Sequence, residues 1–520
     1  MPLSRRAFLQ LSSAAALASR WSRFPATGPA IAALCRKLSS DPLRPQYHLL
    51  PAHNWMNDPN GPIFFRGRYH MFHQYNPQAA VWGNMNWAHA TSNDMIHWQH
   101  EGIALSPTPG GPDRDGVFSG SAVLDHGKPT MIYTGVAPPA SAPEATLRDG
   151  VHTWRETQCL AVAQDDSLRT WKKLPDPVIA APPPGLAVTG FRDPYVWREG
   201  NNWMLILGSG SPGKGGAILL YRSSDLRHWT YLHPLIAGSP TNVKSVNPVD
   251  AGEMWECPDF FPLRAKNGDG KHVLLVSTVG KVRWMVGTYA EQRFTPEKEG
   301  VVDWGSYYAA KTMLDGDGNR VLWGWITETR PDADLIAAGW AGAMSLPRVL
   351  SLSLQNELEM HVAPAAQRLR GTQTSIPSGA TAAVRQNVLD TLRIRDLAAE
   401  LVLELRPPAN EFSVHLQAET GEKFASISCA SKSGSRELRV NTLAAPLSVS
   451  TGSPVRLHLF LDGSVLEVFV NGTTALTARI YQIPSGPLQV RIDGDVELNS
   501  LDAWQMIPIS KDRLTSSLCT

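Results

Sequence analysis

Three acidic residues of this chain stand beside prolines. They are Asp58-Pro59 in "NDPNG", Asp193-Pro194 in "FRDP", and Glu256, two places before Pro258, in "ECPD". Each alone reads as a tight turn, because Pro presets φ, Asn and Gly tolerate positive φ, and Asp bonds its own downstream backbone. Taken together they suggest chemistry. Glycoside cleavage needs two carboxyl groups flanking the scissile bond, one protonated to deliver a proton and one ionised to attack or to activate water. A third can hold substrate hydroxyls and favour an oxocarbenium-like transition state. Trp55, Trp82, Trp87 and Trp340 are available around them as flat apolar platforms for a sugar ring. Clustered acids also bind metals, but the usual His partners are missing from these motifs, and neither metal nor cofactor is expected.

Residues this far apart in sequence must be brought together by the fold. A repeat shows how. A turn-rich start, an apolar strand, a Gly/Asp/Asn turn and a second apolar strand recur from Asn57, Ser119, Arg192, Glu256 and Lys311, at spacings of 62, 73, 64 and 55 residues. A second motif falls between copies: "ATSNDMIHW" to Trp98, "AVAQDDSLRTW" to Trp171 and "YRSSDLRHW" to Trp229. Those tryptophans recur in register and read as blade core. Five units of about 60 residues predict a five-bladed β-propeller, with a β-sandwich carrying long loops as the alternative. In a propeller the equivalent repeat starts converge at one mouth of the central channel. Three carboxylates there would repel one another, which folding alone does not favour.

After Leu350 the texture changes. "HVAPAAQRLRGTQ" reads as a linker with a short helix, and alternating strands such as "VRLHLF" and "VLEVFV", joined at Asp462-Gly463, predict a two-sheet sandwich. The expected organisation is a signal segment over 1–35, a propeller over 45–348, a linker over 349–375 and a sandwich over 376–510. The start, "MPLSRRAFLQLSSAAALASR", places Arg5-Arg6 before a short apolar run. It resembles a bacterial twin-arginine export signal, which implies a periplasmic or secreted protein.

The chain has 520 residues, with Lys+Arg (48) nearly balancing Asp+Glu (47), so no nucleic-acid or polybasic membrane partner is expected. No segment reaches the roughly 18 apolar residues of a membrane span. Gly (42) and Pro (40) suit short strands and turns. The five cysteines are odd in number and widely spaced, so they read mostly as buried small hydrophobes, Cys257 among them.

The motifs "WMNDPNG", "FHQYNP", "FSGSAV", "FRDP", "MWECPDF", "DWGSYYAAKT" and "GWAGAMSLPRVLSL", with "LFLDGSVLEVFVNG" later, resemble glycoside hydrolase family 32, the family of invertases, levanases and inulinases. The resemblance implies a retaining double displacement on a terminal β-fructosyl unit of a small or polymeric fructoside. By motif, Asp58 would be the nucleophile, Glu256 the acid and then the base, and Asp193 the residue that binds fructose hydroxyls and stabilises the transition state. Asn57, Gln74, Trp82, Phe118, Ser119 and Arg192 would line the fructose pocket, with Trp55 beside them. Asp303 falls where sucrose-preferring relatives carry an acid that supports the glucose side. Ser306 replaces the Lys those relatives often have, which leaves invertase and exo-fructanase both open. Trp340 fits core and pocket equally. A fructosyltransferase would share every one of these catalytic residues, and an endo-acting levanase or inulinase would need an open cleft in place of a pocket.

Overall fold

Two-residue turns set the hairpins. Arg66-Gly67, His126-Gly127, Val279-Gly280 and Glu291-Gln292 each hold both residues at positive φ, the twist that suits a tight antiparallel hairpin. In the computed structural model these hairpins build five sheets. Blade I is Asn54–Phe65, Arg68–Asn76, Asn86–Ser92 and Trp98–Leu105, and blade II is Gly116–Asp125, Lys128–Ala137, Thr153–Ala163 and Trp171–Lys173. Blade III is Phe191–Glu199, Asn202–Ser211, Gly215–Ser223 and Thr230–Ala237, and blade IV is Glu256–Arg264, Gly270–Thr278, Lys281–Ala290 and Arg293–Val301. Blade V is Tyr308–Leu314, Arg320–Ile326, Arg348–Leu352 and Leu358–Val362. The first strands of the five blades pack against one another in ring order, and blade V closes on blade I. The fold is the expected five-bladed propeller. The structure describes residues 29–510, apart from 265–267, 269, 407–410, 433–434, 448–452 and 495.

The motif between copies is the turn from the third to the fourth strand. Asp94, Asp165 and Asp225 each accept backbone N–H bonds from residues two to four places on, and Met95, Leu168 and Leu226 take positive φ. The tryptophans that follow pack into blade cores.

A β-sandwich follows. Its six-stranded sheet includes Val455–Asp462, Val465–Val470 and Thr474–Arg479, and its five-stranded sheet is built around Lys423–Lys432 and Phe412–Ala418. Inward-facing residues such as Leu401, Leu403, Val414, Leu416, Leu457, Leu459, Val468 and Val490 alternate along these strands and fill one core.

One expectation about organisation differs from the structure. The span 349–375 is not a free linker, because Arg348–Leu352 and Leu358–Val362 complete blade V and Arg370–Ile376 joins the sandwich. A helix, Pro29–Ser40, straddles the expected end of the signal at residue 35. Its Cys35 and Leu38 pack with Leu50, Ile326, Trp340 and Val465. Cys35 is also disulfide-bonded, while Cys159, Cys257 and Cys429 are free and buried. The twin-arginine motif lies outside the described residues. No helix among the described residues is long and apolar enough to cross a membrane.

Candidate active site

Each inner strand carries a β-bulge at the same height. The ladder with the second strand breaks between Met56 and Pro59, Val117 and Gly120, Arg192 and Tyr195, Glu256 and Asp259, and Tyr308 and Lys311. A bulge inserts an unpaired residue and re-aims side chains. Asp193, Cys257 and Ala309 sit there at φ of 64°, 46° and 53°, a region that costs a non-glycine residue about 1–3 kcal/mol. The bulged stretches are Asn57-Asp58, Phe118-Ser119, Asp193-Pro194, Cys257-Pro258 and Ala309-Ala310. Lys311, taken from sequence as the fifth repeat start, lies just past its bulge. Its amine instead donates to Pro258 O one layer down (2.8 Å).

The three acids meet at this mouth. Asp58 Oδ2 accepts from Ser119 Oγ at 2.5 Å, and its Oδ1 accepts from Asn57 Nδ2 at 3.1 Å. Asp193 Oδ2 accepts the strained Cys257 N–H at 2.9 Å. The Cys257 thiol lies 3.4 Å from Asp58 Oδ2 and 3.5 Å from Asp193 Oδ2, so one sulfur touches both carboxylates. Cys257 is therefore more than a packed spacer. Glu256 Oε1 accepts from Arg192 Nη2 (2.8 Å) and Nε (3.1 Å), and its Oε2 accepts from Tyr308 Oη (2.8 Å). Gln74 bridges Asn57 and Ser119, with bonds of 2.9 and 2.6 Å. Trp55 Nε1 donates to Asn57 Oδ1 at 2.7 Å, so it orients that amide.

Electrostatics follow from the crowding. Burial, then the neighbouring Asp193, raises the Asp58 carboxyl to about 6, against the lowering pull of the Ser119 hydroxyl. Asp193 is also raised, chiefly by burial, with Arg192 opposing. Asp58 is half-buried. The upward push thus falls on Asp58 and Asp193, the two carboxylates that share the Cys257 thiol. If ionised Asp58 is the active form, kcat/KM falls about tenfold per unit as pH drops below about 6. Ser119→Ala removes a bond to the ionised form and is expected to move that acid limb upward. A pH–rate profile on sucrose for both proteins checks this.

The cleft, about 470 Å³, is lined by Trp82, Phe118, Trp154, Arg192, Glu256 and Tyr308, with Asp149, His152, Asn247 and Asp250 toward the rim. Trp82 is 39% exposed and packs near Trp154 at 5.9 Å, while His152 stacks on Trp154 at 4.4 Å. Among the described residues no group of three or more His, Cys, Asp or Glu side chains is placed to hold a metal ion.

Two expected pocket residues lie elsewhere. Trp340 is fully buried, donates from Nε1 to Asp41 (2.8 Å) and stacks under Arg330, so it is core. Asp303 is fully buried and accepts from Arg348 Nη2 (2.9 Å) and from Thr477 N (2.8 Å) and Oγ1 (2.7 Å). It joins the propeller to the sandwich and does not face the cleft. Tyr308, Glu156, His152 and Trp154 were missed. Tyr308 stood in a quoted motif. Glu156 and Trp154 sit mid-strand with no turn residues to mark them.

The glycosyl hydrolases family 32 N-terminal domain matches residues 48–364, and the family's C-terminal domain matches 366–505. The chain is 34% identical to the sucrose-6-phosphate hydrolase of Escherichia coli over 85% of this chain and 90% of that protein. It is also 34% identical to the raffinose invertase of Escherichia coli, over 89% and 95% of the two chains. The crystal structure of fructan 1-exohydrolase IIa from Cichorium intybus superposes with a TM-score of 0.72 at 26% identity, covering 90% of this chain and 98% of that one. The chain therefore belongs to glycosyl hydrolase family 32 and is a glycoside hydrolase acting on fructosides.

Proposed function

We propose that this enzyme is an exo-acting β-fructofuranosidase that releases terminal fructosyl units from sucrose and short fructans by double displacement. One observation carries the reading: equivalent bulges bring Asp58, Asp193 and Glu256, from three blades, together at one mouth of the propeller, Asp58 and Asp193 on the Cys257 thiol and Glu256 next to it in the chain. Asp58 attacks the anomeric C2 as the bond from C2 to the leaving oxygen breaks, and Glu256 gives that oxygen its proton. Glu256 then takes a proton from water, the water oxygen bonds C2, and Asp58 leaves. Asp193 binds fructose hydroxyls and steadies the positive charge that develops on the ring.

The layer beneath the acids is tied from blade to blade. There Lys311 bonds Pro258 O and Gly120 N–H donates to Asn60 Oδ1, tying neighbouring blades together (2.8 and 3.2 Å). The charge of the cleft supports an unphosphorylated substrate over sucrose 6-phosphate. Among the described lining residues the one Lys or Arg is Arg192, already paired with Glu156 and Glu256, and the rim carries Asp149 and Asp250. The Arg5-Arg6 motif before a short apolar run supports export by a twin-arginine-type route.

A time-resolved product panel tests this. With sucrose, a kestose, inulin, levan and sucrose 6-phosphate, the expected products are glucose and fructose from sucrose and fructose alone from the polymers. Sucrose 6-phosphate is expected to be cleaved at least about tenfold less efficiently than sucrose. Early oligosaccharides would mean transfer or endo-cleavage, and preference for the phosphorylated sugar would reverse the substrate assignment.

A further inference from the structure

Glu156 is an acid that the double displacement does not use. It lies on the third strand of blade II, fully buried behind the site. Its Oε1 accepts from Arg192 Nη1 at 2.9 Å and its Oε2 accepts from Phe191 N at 2.7 Å, while its own N–H is fixed by Thr146 Oγ1 at 2.8 Å. The same Arg192 guanidinium turns its other edge to Glu256. Arg192 is itself almost fully buried. One buried cation thus lies between two carboxylates, one of them the proposed proton donor.

This arrangement resolves a conflict. An unopposed guanidinium 2.8 Å from Glu256 would hold it as the anion, which cannot deliver a proton. A second carboxylate on the same guanidinium offsets the charge Arg192 presents to Glu256. It also fixes the plane of the fork, so that Nε and Nη2 stay aimed at one oxygen of Glu256. The other groups facing Glu256 are Tyr308 on blade V, Asp193 on blade III, Asp58 on blade I, and Cys257, the next residue on its own strand. Tyr308 is the only other hydrogen-bond donor to the Glu256 carboxyl among the described residues. Asp58 and Asp193 add negative charge at the same mouth, and among the described residues Arg192 is the one cation bonded to Glu256.

We infer that Glu156 is a positioning residue for the reaction: it neutralises and orients Arg192 so that Glu256 can hold the proton it donates to the leaving group. The inference rests on the role of Glu256 as acid in the reading above. Mutation of the donor itself would test that role separately.

The test is Glu156→Gln, which keeps the shape and leaves a carbonyl to accept the Phe191 N–H. The pH dependence of kcat/KM is measured on sucrose and on an aryl β-fructofuranoside whose leaving group needs no proton. On sucrose the alkaline limb is expected to move to lower pH by roughly one unit, with KM at acidic pH changed less than about threefold. On the aryl fructoside the rate near neutrality should stay within about threefold of the parent. Glu156→Asp, which restores the charge, should move the limb back toward its original place. An unmoved alkaline limb, or equal losses on both substrates, would overturn the inference. If Glu156→Gln does not fold, Glu156→Asp decides: its carboxylate, drawn back from Arg192 by one methylene, should move the limb on sucrose to lower pH by less than one unit and leave the aryl fructoside within about threefold, and an unmoved limb or equal losses on both substrates would again overturn the inference. If instead Glu256→Ala loses the two substrates equally, the acid assignment fails, and that result is distinct from a failure of Glu156→Gln.

Discussion

Asp58→Ala is expected to lower kcat on sucrose by at least about 10⁴-fold, which corresponds to about 5.5 kcal/mol of barrier. The carboxylate is proposed to form the bond to C2, and no neighbouring group can replace it, since Asp193 is tied to Cys257 N–H and Glu256 to Arg192 and Tyr308. The thermal midpoint should hold or rise. Burial and the like charge of Asp193 push the Asp58 carboxyl up to about 6, so the folded chain carries this charge at a cost that the variant removes. Azide separates the two acids. In Asp58→Ala the small anion can attack C2 from the vacated face and give a fructosyl azide of inverted configuration. In Glu256→Ala, with an aryl fructoside, azide attacks the fructosyl-enzyme and gives retained configuration. Substantial sucrose turnover in Asp58→Ala, or inverted azide from Glu256→Ala, would overturn the assignment of nucleophile and acid.

The parts of the site legible in sequence are those that sit in turns. Asn57-Asp58, Asp193-Pro194 and Cys257-Pro258 are bulges, and a bulge needs the same residues that mark turns, so the composition betrayed them. Their recurrence at spacings near 60 residues gave the blade count, because each copy is one hairpin of a radial array. Two kinds of residue stayed hidden. Glu156 and Trp154 lie within a strand, where nothing local distinguishes a buried functional side chain from a packed one. Asp303 and Trp340 lie in motifs that looked like pocket, yet both are buried at contacts between chain segments far apart in sequence. Asp303 meets Thr477 across 174 residues, and Trp340 meets Asp41 across 299. A short motif does not record which distant segment covers it. The linker expectation failed for a similar reason: Pro364 and the Ala-rich stretch mark only a six-residue 3₁₀ turn, and strands flank it on both sides.

Arg348→Ala should be the most destabilising single change in the chain away from the apolar cores, at about 3–5 kcal/mol. Arg348 is fully buried. Its Nη2 donates to Asp303 of the propeller at 2.9 Å, and to Glu467 and Thr477 of the sandwich at 2.5 and 3.1 Å. Tyr307 and Phe469 stack on its guanidinium at 4.3 and 4.8 Å. Glu467 continues the network to His48, whose other nitrogen meets Asp462. Asp462 in turn caps the backbone N–H groups of Gln46, Tyr47 and His48. One buried chain of charges therefore ties the segment before blade I, the propeller and the sandwich, and removing Arg348 leaves Asp303 and Glu467 buried without their cation. The pH dependence has a definite sign. The two carboxylates lift His48 to about 9 against its burial, so its contribution is complete below its ordinary value near 6.5 and is lost as pH rises through about 9. Arg348 and His48 hold Glu467 down at about 2 against its burial, so its contribution is complete above about 4.5 and is lost as pH falls through about 2. The network is thus at full strength between about pH 4.5 and 6.5. Thermal midpoints measured across pH should show the deficit of Arg348→Ala in full above about pH 4.5 and shrinking as pH falls toward about 2, where Glu467 takes up a proton. Sucrose kcat/KM, measured well below the transition, should stay within about threefold, because Arg348 does not line the cleft. A variant that kept the parent midpoint would show that the sandwich stands on the propeller without this network. One that kept its midpoint and lost sucrose turnover would return Asp303 and its partner to the substrate side.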